Sequence, residues 1–128
     1  MKRYTAGEVI DKYKIVSILG EGGIGIVYLA EHMLLGTNVA LKMCKLQNSS
    51  AQERLRIEGR AQTKLKHPNI VSVHDMIEID HSPCLIMEYV DGMGLDEWLD
   101  NKTSTTQQAQ TLFLQILDAM EFAHSQNI

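Results

Sequence analysis

The 128 residues of the chain are enough for one domain with one ordinary hydrophobic core. Hydrophobic residues make up 45% of the sequence and charged residues 22%, which excludes the disordered and fibrous classes of protein. Twelve basic residues stand against 16 acidic ones and form no cluster, and the net charge is -4. Neither a nucleic acid nor an anionic membrane surface is therefore indicated as a partner.

The cysteines and the N-terminus indicate a reducing compartment. Cys44 and Cys84 belong neither to a C-x-x-C pair nor to a histidine grouping at metal-ligand spacing. We interpret them as two buried thiols rather than a disulfide, and we predict no metal site. The basic residues after Met1 are not followed by an apolar segment, and no apolar run reaches the length of a membrane-spanning helix. We therefore expect a cytoplasmic protein without a membrane segment.

The first part of the chain predicts two strands joined by glycines. Residues 1–12 are polar and mixed, and we interpret them as a lead-in segment. Apolar alternation over residues 13–19, and β-branched and aromatic residues over 26–30, predict a strand on each side of a glycine loop. Glycines in G-x-G-x-x-G spacing let the backbone turn tightly and approach a ligand closely, and phosphate is the usual ligand. The glycines of this loop are Gly20, Gly22, Gly23 and Gly25.

The setting of these glycines separates the phosphate-binding motifs that share their spacing. A dinucleotide-binding fingerprint requires a helix to begin at the glycines, so that the pyrophosphate lies on the helix N-terminus. Here β-formers follow Gly25. A Walker-type loop is also disfavoured, because no G-K-[ST] sequence ends the glycine run.

A third strand, at residues 39–44, carries a lysine on one face. Ala40 and Lys42 share that face by the period-two rule, while Leu41 and Met43 take the other. Lys42 and the residues that flank the glycine loop are therefore expected to face a common cleft.

A helix at residues 50–66 follows, with a candidate N-cap in Asn48-Ser49-Ser50 and Glu53 at the spacing of a capping box. A carboxylate, Glu58, lies in the middle of its inward face. Such a residue, if isolated, would lie solvated at the edge, but Lys42 offers a partner for a charge that is otherwise costly to bury. The inward face comprises Ala51, Leu55, Glu58, Ala61, Gln62 and Leu65.

The remaining elements complete an α+β layer. Residues 70–79 and 84–90 predict two further strands, which makes five strands with one helix inserted after the third. Residues 95–99 predict a short helix. A long helix begins at a cap in Thr103-Ser104-Thr105, and we assign its apolar stripe to core packing rather than to a cofactor site.

This order of elements resembles the protein kinase family, and within it the bacterial serine/threonine kinases of eukaryotic type, over residues 10–128. The resemblance rests on the glycine loop with its trailing Val27, the V-A-L-K strand that ends in Lys42, and Glu58 nine residues before His67-Pro68-Asn69. It also rests on a hinge-like Met87-Glu88-Tyr89-Val90. It implies a five-stranded antiparallel sheet with one αC helix in residues 13–90, the N-terminal lobe. Residues 91–128 would be the linker and the helices αD and αE of an incomplete C-terminal lobe.

The resemblance implies that the chain binds ATP with magnesium. Backbone amides from Gly22 to Gly25 would cover the phosphates, and Lys42 would hold the α- and β-phosphates while Glu58 holds Lys42 in place. The other implied contacts are hydrophobic packing on the adenine, backbone hydrogen bonds from the hinge and a gatekeeper at the back. The implied nucleotide-binding residues are Gly20, Gly22, Gly23, Gly25, Val27, Ala40, Lys42, Met87, Glu88, Val90 and Leu95.

The sequence departs from the family in three places. After His124-Ser125-Gln126-Asn127-Ile128 no H-R-D or D-F-G follows, so the magnesium ligands are missing and we expect no phosphoryl transfer from the chain alone. Gly59, which costs about 1 kcal/mol in a helix interior, and the polar Gln62 predict a loosely held αC with Glu58 away from Lys42.

Two functional interpretations remain open at this level. The first is the ATP-binding N-terminal portion of a serine/threonine kinase, truncated before the catalytic loop. The second is a non-catalytic module that uses the kinase small-lobe surface to bind another protein. We further expect self-association through the exposed apolar stripe of αE.

Overall fold

The computed structural model describes residues 2–23, 25–45, 48–101 and 104–128. Ile24 of the predicted phosphate loop and Thr103 of the predicted helix cap lie outside these residues. The described strands are β1 (Val9–Ile10), β2 (Tyr13–Glu21), β3 (Gly25–His32), β4 (Asn38–Cys44), β5 (Val73–Ile79) and β6 (Ser82–Glu88). The described helices are α1 (Ser49–Gln62), α2 (Leu95–Asp100) and α3 (Thr106–Ser125).

The strands form one antiparallel sheet in the order β1-β2-β3-β4-β6-β5, which confirms the predicted α+β class. The described sheet has six strands rather than the five predicted, because Val9 and Ile10 pair with the start of β2. The sequence signal for β1 is weak, since the strand is only two residues long. Ile10 is nevertheless only 3% exposed, and Gly7 makes the preceding turn with a φ of 89°.

The two faces of the sheet bury different cores. Leu41 and Ile86 are paired across β4 and β6 and lie in the larger core, which also takes in Tyr28. The opposite face carries Leu85, and against it helix α1 packs with Leu55. The alternation along β4 therefore separates the larger core from the face on which Lys42 lies, as the period-two rule predicts.

The N-cap of helix α1 lies two residues before the predicted capping box, and the helix ends earlier than predicted. The N-cap is Asn48, whose side-chain oxygen accepts from the Ala51 amide at 2.7 Å, which confirms a cap within Asn48-Ser49-Ser50. The capping box of Ser50 with Glu53 is wrong, because Ser50 already lies inside the helix. The regular helix ends at Gln62 rather than at residue 66. The backbone continues through two further turns, in which the amides of Lys64 and Leu65 donate three residues back.

Gly59 fastens this helix to the sheet instead of loosening it. It is buried, and a β-carbon at this position would lie 2.6 Å from Leu85 Cδ2 and 2.7 Å from Met76 Cε. Helix α1 thus approaches β5 and β6 more closely than any larger residue would allow. The prediction of a loosely held helix weighed the intrinsic propensity of glycine and missed this close packing, which outweighs it.

Helix α3 is joined to the sheet domain by polar contacts. Asp118 lies 3.1 Å from His67 Nε2, and the side-chain amide of Asn69 donates to the Gln115 carbonyl at 3.2 Å. Thr105 and Gln108 form a capping box at the start of the helix. Among the described residues of α3 none is buried, and Phe113 is 61% exposed. The assignment of the apolar stripe of this helix to core packing is therefore wrong for its exposed members, Phe113, Leu117 and Met120.

None of the helices in the described ranges combines the length and hydrophobicity that a bilayer crossing requires.

Candidate functional site

The register of the sheet aligns the predicted site residues on one face. Gly20 pairs with Val27, Val27 with Lys42, and Lys42 with Leu85, so these residues form a row across four strands. Directly opposed residues of antiparallel strands share a face. The next row on the same face places Ala40 opposite Met87. Five residues predicted from separate motifs, counting both rows, therefore lie on one surface.

Helix α1 brings the carboxylate of Glu58 to the Lys42 ammonium, and the two groups form an ion pair. The prediction that Glu58 lies away from Lys42 is therefore wrong. The side chains are 30% and 43% exposed, so Glu58 lies at the edge of the helix face rather than in its middle. Being partly hydrated, the pair is spared most of the desolvation cost of a buried ion pair and remains accessible to a ligand.

The second residue that suggested a loose helix also holds it in place. The side-chain amide of Gln62, one turn after Glu58, donates to the Val71 carbonyl at 2.8 Å. This hydrogen bond ties the end of α1 to the segment that precedes β5. Gln62 thus holds the end of α1 in place by a hydrogen bond, as an apolar residue would by packing.

A cavity of about 210 Å³ lies beside the ion pair, between the end of the glycine loop and helix α1. Its lining combines two cations and one carboxylate with apolar and backbone groups. The lining residues are Gly25, Lys42, Met43, Cys44, Arg54, Leu55 and Glu58. Lys42 and Arg54 make this cavity suitable for an anionic group of small size.

The glycines of the loop divide into two kinds. A β-carbon at Gly25 would lie 2.5 Å from the Met43 carbonyl oxygen, so Gly25 is required by the packing of β3 on β4. At Gly20, Gly22 and Gly23 no other described atom lies within 4 Å of the β-carbon position, and none of the three has a positive φ. The fold itself gives no steric reason for these glycines. A ligand that approaches the backbone closely would give one.

The hinge segment is anchored to the residue that precedes β5. The Glu88 amide donates to the Ser72 carbonyl at 2.9 Å, and the Glu88 carboxylate accepts from the Ser72 amide at 3.1 Å. The Glu88 N–H is therefore engaged within the protein. Two residues on, Val90 is 59% exposed.

Leu95 is a predicted site residue that does not line the cavity beside the ion pair. It begins α2 and lines a wider groove of about 1090 Å³ between α2 and α3, together with Val71, Met93 and Trp98. Its place among the nucleotide-binding residues stays a prediction.

Sequence reasoning missed two charged groups at the site. Arg54 precedes Glu58 by four residues, so helical spacing could have placed both on the same face. Glu21, between the first two glycines, forms ion pairs with Lys45 and Arg3, which are distant in sequence. Because these partners follow no local pattern, no signal in the sequence indicated them.

We assign neither cysteine a role as a reactive thiol. Both are buried, as predicted, and burial raises the pKa of the Cys84 thiol to about 12. A thiol with such a pKa is protonated at neutral pH and is a poor nucleophile. Within the described ranges no group of three or more histidine, cysteine or acidic residues could hold a metal ion.

Comparison with known proteins places this arrangement in a family. The model of the protein kinase domain matches residues 13–128. Serine/threonine-protein kinase PrkC of Bacillus subtilis is 36% identical over 121 residues, which cover 91% of this chain and 19% of that protein. Serine/threonine-protein kinase Pkn1 of Myxococcus xanthus is 36% identical over 119 residues, with 91% and 17% covered.

A solved structure agrees with these sequence matches. The crystal structure of the Mycobacterium tuberculosis PknI kinase domain superposes with a TM-score of 0.78 at 25% identity, over 97% of this chain and 52% of that one. The chain thus spans less than a fifth of the two curated relatives and about half of the solved domain. With the glycine loop, the Lys42–Glu58 pair and the sheet in place, the chain belongs to the protein kinase domain family and is similar to the bacterial serine/threonine kinases of eukaryotic type.

Proposed function

We propose that this chain binds ATP on the face of the sheet that carries Lys42, with the glycine loop over the phosphates. The observation that carries the proposal is the ion pair between Lys42 and Glu58 beside the end of that loop. An ammonium held by a carboxylate, yet 30% exposed, is positioned to hydrogen-bond phosphate oxygens without a large rearrangement.

The three unpacked glycines support the same proposal. Gly20, Gly22 and Gly23 have open space at their β-carbon positions, so a ligand can approach their backbone without meeting a side chain. Phosphate oxygens approach the backbone of glycine-rich loops in this way, although the Gly22 amide already donates to the Gly25 carbonyl. Val27 of the first row, with Ala40 and Met87 of the second, would then provide the apolar surface for the adenine ring.

The hydrogen bond of the Glu88 amide limits which backbone groups of the hinge can contact the adenine. Because the Glu88 N–H donates to Ser72, we propose that Glu88 offers only its carbonyl oxygen to the adenine edge. The backbone of the exposed Val90 would provide the remaining contacts.

The proposal covers nucleotide binding and no transfer step. Transfer to a protein serine or threonine uses H-R-D and D-F-G residues, and these motifs are not among the 128 residues. ATP would arrive with magnesium, but the described residues offer no cluster of ligands for that ion. We therefore assign it no protein ligand here, and serine/threonine phosphorylation remains a property proposed for longer proteins of this kind.

Titration with a fluorescent ATP analogue in the presence of magnesium tests the proposal. We expect saturable binding that Lys42→Ala weakens by about tenfold or more, because hydrogen bonds to charged groups contribute about 1.5–3 kcal/mol. Lys14→Ala is the matched control, since Lys14 also lies on a strand but is exposed and away from the cavity. Equal affinities of the two variants, or no binding by the unchanged chain, would overturn the proposal.

A second candidate, a protein-binding module, is favoured by the outer face of α3. Four apolar side chains are exposed there by 44% to 61%: Phe113, Leu114, Leu117 and Met120. Burial of these side chains against a second copy would stabilise a dimer. Light scattering tests this candidate, which predicts a dimer that Phe113→Asp dissociates. A monomer at all concentrations would count against it.

A further inference from the structure

The side chain of Glu21 connects the glycine loop to two segments outside it. Lys45 Nζ lies 2.5 Å from one carboxylate oxygen, and an Arg3 guanidinium nitrogen lies 3.1 Å from the other. Each oxygen therefore has its own cationic partner. One carboxylate joins the end of β2, the end of β4 and the N-terminal segment.

The ion pair between Glu21 and Lys45 links two parts of the sheet that share no backbone hydrogen bonds. Strand β3 lies between β2 and β4, so Glu21 at the end of β2 and Lys45 just after β4 come from strands that are not neighbours. The connection is also at the end of the ladder. Glu21 opposite Ile26 is the last pair of β2 with β3, and Gly25 opposite Cys44 is the end pair of β3 with β4.

Beyond this point the described residues of the loop have few other constraints. The Gly22 amide donates to the Gly25 carbonyl at 2.9 Å, but Gly22 and Gly23 have no side chains to pack. The ladder is also irregular just before the loop, with a register shift between Ile18 and Gly20. Among the described residues of the loop, Glu21 is thus the one whose side chain forms ion pairs with segments outside the loop.

We propose that Glu21 is a positioning residue whose ion pairs with Lys45 and Arg3 hold the glycine loop over the phosphate site before a nucleotide binds. The proposal rests on the proposed function. A loop that is already ordered loses less conformational entropy on binding, so the nucleotide binds more tightly. Glu21 contacts no phosphate itself and acts only through the backbone on either side of it.

Titration of the carboxylate agrees with this role. Hydrogen bonding to Lys45 lowers the pKa of Glu21 from its ordinary value, with a further contribution from Arg3. The carboxylate is therefore ionised at neutral pH, where both ion pairs are intact. Acidification through the lowered pKa would release them.

Deuterium exchange of the nucleotide-free chain tests the loop alone. In Glu21→Gln we expect the amides of residues 20–27 to exchange about two- to fivefold faster, the range expected for partly exposed ion pairs. Lys45→Gln in that background should add little, because the interaction is already lost. High salt should bring the unchanged chain towards the variant.

Glu8→Gln is the matched control. Glu8 also forms an ion pair, with Lys2 at 2.7 Å, and its side chain is 33% exposed against 32% for Glu21, but it lies outside the loop. Exchange in residues 20–27 should be unchanged in this variant. Equal exchange in the Glu21 and Glu8 variants would overturn the proposal.

Nucleotide binding supplies the second measurement. The fluorescent ATP analogue should dissociate from Glu21→Gln about two- to fivefold faster than from the Glu8 variant. Faster loop exchange without any change in nucleotide dissociation would overturn the positioning role. If no nucleotide binds to the unchanged chain, the proposed function fails, while the exchange experiment still decides whether Glu21 holds the loop.

Discussion

Replacement of Gly59 by alanine has two opposite effects on the stability of the protein: a gain in helix propensity and a steric clash. Alanine at a helix interior gains about 1 kcal/mol over glycine from intrinsic propensity alone. The added methyl carbon, however, would lie 2.6 Å from Leu85 Cδ2 and 2.7 Å from Met76 Cε, whereas carbon atoms rest about 3.5–4.0 Å apart. Met76 can rotate away, but Leu85 is 0% exposed and has little room to move.

The overlap of about 1 Å must be relieved by movement of α1 or of the core, and such overpacking costs about 1–3 kcal/mol. We therefore expect Gly59→Ala to lower the free energy of unfolding by roughly 1 kcal/mol in a urea titration. In a Met76→Ala background, where one contact is removed, the same substitution should cost less. Stabilisation by about 1 kcal/mol in the unchanged background would refute the packing argument, because propensity alone would then decide the outcome.

Further substitutions test the contacts at the two ends of helix α1 and one exposed ion pair. Gln62→Leu should lower the free energy of unfolding by about 1 kcal/mol, because a backbone carbonyl loses its donor, and should speed amide exchange in the last turn of α1. Gln52→Leu, which removes a hydrogen bond at the start of the same helix, should leave that turn unchanged, and equal effects would contradict the assignment. Glu8→Gln should remove pH dependence: a hydrogen bond with its lysine lowers the pKa of Glu8 from 4.5 to about 2. The unfolded chain therefore takes up the proton first as pH falls, and the difference in stability between the two proteins should shrink from pH 4.5 towards 2; a difference that does not vary with pH would refute this.

The sheet and most of the site could be predicted because their signals are local. Alternation of apolar and polar residues determines which face of β4 carries Lys42, and the glycine spacing indicates the loop before any contact is known. The two-residue strand β1 was missed because so short a segment shows no periodicity. Its residues Val9 and Ile10 are recognisable as a strand only beside the start of β2.

Errors in the prediction arose where tertiary contacts decide. Gly59 and Gln62 were each weighed as isolated helix residues, and each proves to be held by a partner from another element. The ion pairs of Glu21 could not be predicted for the same reason. Its partners are 18 and 24 residues away in sequence, Arg3 before it and Lys45 after it, so only the folded sheet brings them together.

The row that contains Lys42 also bears on how the sheet forms. Because side chains alternate, a slip of β4 by one residue would turn Lys42 to the opposite face and bring Leu41 to the open one. The slipped arrangement would bury an ammonium without a carboxylate among the residues that pack around Tyr28, at a cost of several kcal/mol. Lys42, which would bind phosphate, thus also disfavours incorrect pairing of its own strand. Lys42→Leu would therefore lower the fidelity of strand pairing together with nucleotide affinity.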